Sequence, residues 1–279
     1  MTKTRVIAAL VLTPFAIAGM LLLPTAWLLA AAAVVFLAGL WEWFKLADVE
    51  DTLSRTVLLV VNLALMVAIV WGSRLPDGGL SFVLFKLVTM IGVMWWLMAG
   101  LWLSRYTFAS DHDTHARVFK LAAGTLAIVP AWCAAAWIHG DANDGGRWLF
   151  IAVALVWAAD TGAYFVGRHY GKRKLSPRIS PNKTVEGLLG GIVAGVAVAV
   201  AFAPLAGAAV AQLPAVALVA FIAVCFSVVG DLFESLLKRH VGAKDSGDLI
   251  PGHGGVLDRI DGVIAALPVF ALGKAWLGF

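Results

Sequence analysis

The 279-residue chain is 61% hydrophobic and only 14% charged, with a net charge of +4 and a mean hydropathy of +0.91. An apolar share so far above the roughly one half usual in soluble domains excludes an ordinary water-soluble fold, and so slight a positive balance gives no reason to expect nucleic acid as a partner. The apolar runs are continuous and rich in Leu, Ala and Val, not alternating, so they predict helices and exclude an outer-membrane barrel.

Each run approaches the roughly 20 residues that a helix needs to cross a bilayer. Runs bounded by charge, Gly and Pro predict spans at 6–23, 25–45, 55–72, 82–104, 118–138, 148–167, 186–206, 213–237 and 261–278. The expected fold is all-α, a polytopic membrane protein of about nine transmembrane helices. Lys3 and Arg5 precede the first run, and no small-residue cleavage site follows it, so it is predicted as a span and not a signal peptide. Cys133 and Cys225 both fall inside apolar runs and are expected to act as small buried hydrophobes. The 12 tryptophans are expected in interfacial belts and lipid-facing positions.

Basic residues collect in cytoplasmic loops and so report orientation. Seventeen of the 21 Lys and Arg fall on one side of the nine predicted spans, against Arg74, Arg147 and Lys274 on the other, with Lys86 at a span start. The N-terminus is therefore predicted to be cytoplasmic. Ten of the 21 lie in two loops on that side, 168–185 and 238–260. The chain divides accordingly into a less specific region of five spans, 1–147, and a C-terminal region, 148–279, that carries both loops.

Acidic groups within or at the edge of a span are costly and point to function. Asp160 interrupts the sixth span; Asp231 and Glu234 share a helix face near the end of the eighth; Asp258 and Asp261 repeat that spacing at the start of the ninth. As a group they suit a hard divalent cation, since Mg²⁺ is held by one or two carboxylates together with substrate phosphates. Singly, each could equally cap a helix or pair with a nearby base, as Asp258 with Arg259.

The cluster Lys172, Arg173, Lys174 fits a topology determinant or anionic-lipid contact. The next stretch, Ser180, Pro181, Asn182, Lys183, Thr184, Val185, Glu186, Gly187, mixes hydroxyls, amide, cation and acid just before a helix N-terminus, where phosphate is favoured. The second loop holds Lys238, Arg239, Lys244 and Asp245, then His253 among Gly252, Gly254 and Gly255, then Asp258, Arg259 and Asp261. Such glycines let a backbone approach phosphate, and the cations can offset charge on a leaving pyrophosphate. His253 fits either an acid–base or a packing role. No Walker A sequence, strand-to-helix G-x-G-x-x-G turn or zinc-like histidine spacing occurs.

The segment from Ser235 to Asp261, with Lys238, Arg239, Lys244, Asp245, His253, Gly254, Gly255, Asp258, Arg259 and Asp261, resembles the signature of the phosphatidate cytidylyltransferase family. Asp160 to Tyr164 with Gly167 and Arg168, Ser180 to Gly187, and Trp41, Glu42, Trp43 are similar to further family motifs. The resemblance implies a Mg²⁺-dependent enzyme of the bacterial inner (plasma) membrane, a homodimer, that transfers CMP from CTP to phosphatidate, its active site on the cytoplasmic side. It nominates Asp231 and Asp258 as metal ligands, with Asp261 and Asp160 beside them, and Lys183, Lys238 and Arg239 as catalytic cations. Ser180, Asn182, Thr184, Lys244, His253, Gly254, Gly255 and Arg259 become candidates for substrate contact.

No Ser/His/Asp or Cys/His set is present, which suits direct in-line displacement without a covalent intermediate. A CTP-using lipid or polyprenol kinase shares these features, since sequence does not reveal which phosphorus is attacked. An ion-coupled transporter would explain the intramembrane acids but not the long polar loops beside them.

Overall fold

The computed structural model describes residues 2–107, 109–110, 113–249 and 254–279, with side chains described from residue 12 onward. Among the described residues nine α-helices account for most of the sequence: α1 (Thr2–Leu22), α2 (Thr25–Leu46), α3 (Thr52–Gly72), α4 (Val83–Leu103), α5 (Thr114–His139), α6 (Gly145–Tyr170), α7 (Val185–Phe202), α8 (Leu213–His240) and α9 (Leu257–Leu277). Each predicted span coincides with one helix to within four residues at either end. Among the described residues, α2 to α9 are long and apolar enough to cross a membrane, and α1 adds the apolar stretch Leu12–Leu22. The protein is an all-α polytopic membrane protein.

Several helix starts are fixed by side chains that accept otherwise orphaned backbone N–H groups. Asp51 caps α3 through Ser54 N at 2.7 Å, Asp113 caps α5 through Ala116 N at 2.7 Å, and Thr184 caps α7 through Gly187 N at 3.1 Å. Short 3₁₀ turns, Ala203–Ala206 and Val210–Gln212, join α7 to α8. Between α6 and α7 the chain forms a two-stranded antiparallel hairpin, β1 (Lys174–Ser176) with β2 (Ser180–Thr184), pairing Lys174 with Thr184 and Ser176 with Ser180. Runs of apolar residues predict no strand in this segment.

The tryptophans divide. Trp27, Trp71 and Trp276 face outward, but Trp43, Trp95, Trp96, Trp102, Trp132 and Trp148 are buried, so half of the 12 are core and not belt or lipid-facing residues. The physical reason is Phe233 on α8, which is fully buried and meets Trp43, Trp95, Trp96 and Trp102 with ring centroids 5.0–6.1 Å apart. Aromatic rings at such separations fill volume that aliphatic side chains would leave open. Buried indoles also reach backbone acceptors: Trp43 Nε1 donates to Lys120 O at 2.8 Å and Trp96 Nε1 to Ile264 O at 3.1 Å.

Helices α6 and α7 approach backbone to backbone. Gly187, Gly191 and Gly195 form one stripe along α7, and a Cβ at each would lie 2.8–2.9 Å from the carbonyl oxygens of Ala163, Ala159 and Leu155 on α6. Small residues four apart permit such contact between membrane helices.

Alternate loops gather at opposite ends of the bundle. At one end Lys120 pairs with Asp48 at 3.0 Å, His240 Nε2 donates to Tyr106 O at 2.7 Å, and Arg239 Nε donates to Ile179 O at 3.3 Å. At the other, Lys274 pairs with Asp141 at 2.7 Å, His139 Nε2 donates to Met20 O at 3.1 Å, and Gln212 Nε2 donates to Gly278 O at 2.7 Å. Both polar loops lie at the first end.

Candidate active site

The hairpin is held in place by Glu186 in the first turn of α7. Its Oε2 accepts the N–H groups of Lys172 and Arg173 at 3.0 and 3.1 Å, and Oε1 accepts from Arg173 Nε at 3.1 Å. Thus anchored, β2 directs Lys183 across to α8, where its ammonium pairs with the Asp231 carboxylate. Arg239, bonded to Ile179 O, ties the same loop to the end of α8.

A cavity of about 570 Å³ lies between α6, the hairpin, α7 and α8. Its polar wall is formed by Asp160, Tyr164, Arg168, Ser180, Asn182, Lys183, Thr184 and Asp231; Leu188, Val224 and Val228 make the wall apolar on the side of α7 and α8. Gly187 and Gly191 line it as well. Arg168 Nη1 donates to Tyr164 Oη at 2.8 Å, which fixes both side chains along one edge. Asp261, on α9, stands within electrostatic reach of Asp231, Glu234 and Asp160, and Arg259 within reach of Asp160. Six of the nominated residues therefore line one cavity, with Asp261 and Arg259 within electrostatic reach of its carboxylates.

Asp258, Lys238 and the glycines belong to an adjoining network. Lys238 Nζ sits between Glu234 Oε2 at 2.6 Å and Asp258 Oδ1 at 2.8 Å. The other oxygen of Asp258 accepts from Ser246 N at 3.0 Å and Gly255 N at 2.8 Å. Asp258 is thus paired with Lys238, not with Arg259, and it closes the second loop upon itself. Gly254 takes a φ of +80°, the left-handed region that glycine enters at no steric cost. At Gly255 a side chain would collide with Ser246 Oγ and Glu42 Oε2.

Glu42, from the distant α2, completes this network. It is 1% exposed, and its Oε2 accepts from Ser246 Oγ at 3.0 Å and Leu257 N at 2.8 Å. Sequence reasoning placed Glu42 in a motif but gave it no role. An acid between two tryptophans at the end of an apolar span was the available signal, because burying it needs compensation. Ser246 gave no comparable signal. Lys244 is exposed outside the cavity lining, and His253 lies outside the described residues. Among the described residues, no three Asp, Glu, His or Cys side chains form a ready-made metal cage.

Comparison with known proteins bears on what such a site acts upon. A model of the cytidylyltransferase family matches residues 3–275. The chain belongs to that family. A Pseudomonas aeruginosa protein named phosphatidate cytidylyltransferase is 40% identical over 272 residues, covering 97% of this chain and 96% of its own length. One of the same name from Haemophilus influenzae is 33% identical over 283 residues, with 97% and 98% covered. A Bacillus subtilis protein, also so named, is 48% identical over 124 residues, 44% of this chain and 46% of that protein. Membership makes the chain a nucleotidyltransferase, and the cavity gathers cations and carboxylates at one end of its membrane bundle.

Proposed function

We propose that the protein is a phosphatidate cytidylyltransferase, transferring CMP from CTP to phosphatidate with release of pyrophosphate, at the cytoplasmic face of the bacterial inner membrane. The observation that carries this reading is the two-sided cavity: Lys183 and Asp231 meet at its polar wall, while Val224 and Val228 continue it in apolar surface. A lipid phosphate needs both kinds of wall, and full-length relatives carry that name. The basic-residue asymmetry supports the cytoplasmic side.

Magnesium fits the residues present. Asp231, with Asp261 and Asp160 near it, offers the one or two carboxylates that Mg²⁺ takes alongside substrate phosphates. The Lys183 ammonium already resting on Asp231 marks a position that attracts positive charge. Asp258 enters that set only by giving up Lys238. Bound there, the ion supplies charge neutralisation at the transferring phosphate.

The chain's own residues account for the remaining needs. Ser180, Asn182 and Lys183 orient phosphate at the cavity mouth, and Arg259 adds positive charge near Asp160. Lys244, His253 and the backbone at Gly254 and Gly255 are the candidates for the triphosphate tail. Lys238 and Arg239 brace the two loops against each other. A phosphatidate oxygen attacks the α-phosphorus in line, the bond from that phosphorus to the bridging oxygen breaks, and pyrophosphate departs with the electron pair. The attacking phosphate is already anionic, so no base is required.

Incubating purified protein with phosphatidate and either α- or γ-labelled CTP tests the reaction. Label should enter lipid from α-labelled CTP alone; transfer from γ-labelled CTP would make the protein a kinase.

A further inference from the structure

A second cavity, of about 520 Å³, lies at the same end of the bundle but on its other side, where α2 ends, α3 begins and α8 ends. Its charged lining is Lys45, Asp48, Glu50, Arg55 and His240. Asp48 is answered by the buried Lys120 at 3.0 Å, and His240 Nε2 by Tyr106 O. Glu50 is thus the remaining acid against Lys45 and Arg55, and the surplus is positive.

Arg55 is the informative member. It is only 9% exposed, its Nη2 donates to Glu50 O at 3.2 Å, and its guanidinium lies 4.5 Å from the Trp41 ring centre. Yet its Nε is buried without a hydrogen-bond partner. A charged donor held rigidly and left unsatisfied is costly, and a planar guanidinium presents a fork of donors that matches the oxygens of a phosphate or a carboxylate, of which phosphate is the one a phospholipid surface carries in quantity. Lys45 is exposed at the rim, and its ammonium has no hydrogen bond or ion pair among the described residues. Nearby, α3 exposes Leu53 and Val57, so the cavity opens where a bilayer would meet water.

We infer that this cavity is a second anion site, separate from the carboxylate cavity, that binds a phosphate mono- or diester through Arg55 and Lys45. The source is an anionic phospholipid headgroup or a soluble phosphate ester, which share this chemistry.

The test uses the full-length protein in nanodiscs, with amine acetylation at Lys45 read by mass spectrometry and expressed relative to the same protein in phosphatidylcholine discs without probe. Two probes are applied: sn-glycerol 3-phosphate with phosphatidylcholine discs, and phosphatidylglycerol built into the discs. At least one should lower Lys45 acetylation about tenfold relative to the probe-free discs, the loss expected when one charge-assisted contact is made. Protection by the soluble ester identifies a soluble ligand, and protection by phosphatidylglycerol alone a headgroup. Arg55→Gln should abolish the protection. The exposed Glu50→Gln, which keeps the backbone carbonyl used by Arg55, should lower the probe level needed for half-protection severalfold. Unchanged Lys45 modification with both probes, full protection in Arg55→Gln, or an unchanged or raised half-protection level in Glu50→Gln each overturns the inference.

Discussion

Lys183 and Asp231 are both partly exposed, and an ion pair so placed contributes little to stability. What it contributes is position: a cation and an anion poised at the polar wall of a cavity. Asp231→Asn should therefore leave a folded, inserted protein whose thermal midpoint barely moves, while transfer of label from CTP to lipid falls on the order of a hundred- to a thousandfold. Near-normal turnover by the purified variant would remove Asp231 from the chemistry. Glu42 predicts a different pattern. Glu42→Ala leaves Ser246 Oγ and Leu257 N without their acceptor in a buried setting, costing about 1–3 kcal/mol for each group left unpaired. Glu42→Gln keeps an oxygen in place. Activity and thermal midpoint should fall together in the alanine variant and largely return in the glutamine one; equal loss in both would mean that the charge, not the hydrogen-bond acceptor, matters. The individual acids were legible in the sequence because each is expensive at membrane depth. Their partition was not, since Asp231 and Glu234, three residues apart, serve neighbouring networks whose partners come from β2 and α9.

Among elements, the α6–α7 pair sets the width of the site. Gly191 lines the cavity, and its Cα hydrogens face Ala159 O, one residue from Asp160. Gly191→Leu must push α7 away from α6, and overpacking of this kind costs about 1–3 kcal/mol. It should lower the thermal midpoint and raise the KM for phosphatidate. The control is Val193→Leu on α7, where Val193 is 69% exposed, which should change neither. Were both variants indistinguishable from wild type, close contact of the two helices would not matter to the site. The stripe was present in the sequence as small residues four apart, a spacing that periodicity counts of apolar residues do not distinguish from any other apolar face. The hairpin was invisible for another reason. Its strands are three and five residues long, polar, and held by Glu186 from the following helix, so no alternating pattern marks them. Core tryptophans were misread as surface ones because a membrane helix is apolar on every side, and composition alone does not say which side faces protein.

At the scale of the whole molecule, the helices were legible to within four residues at either end, since length and continuity of apolar sequence suffice for a membrane span. Alternation of loops between two ends was legible too, and the polar contacts of the bundle follow it: Asp48, Lys120, Tyr106 and His240 share one end, Met20, His139, Asp141 and Lys274 the other. Orientation in the membrane rests on the basic residues. Because both polar loops share an end, a single assignment fixes the side of the whole site. A cysteine at Asp248, exposed in the second loop, should resist an impermeant maleimide in intact cells and react once the inner membrane is opened. A cysteine at Asp77, exposed between α3 and α4, should react in intact cells. The pair must behave oppositely, because an odd number of crossings separates them. If Asp248→Cys is labelled from outside and Asp77→Cys is not, the orientation is inverted, and a nucleotide supplied from the cytoplasm cannot reach the cavity. If both are labelled from one side, the count of crossings between α4 and α8 is itself wrong, and the site would have to be rebuilt from the topology upward.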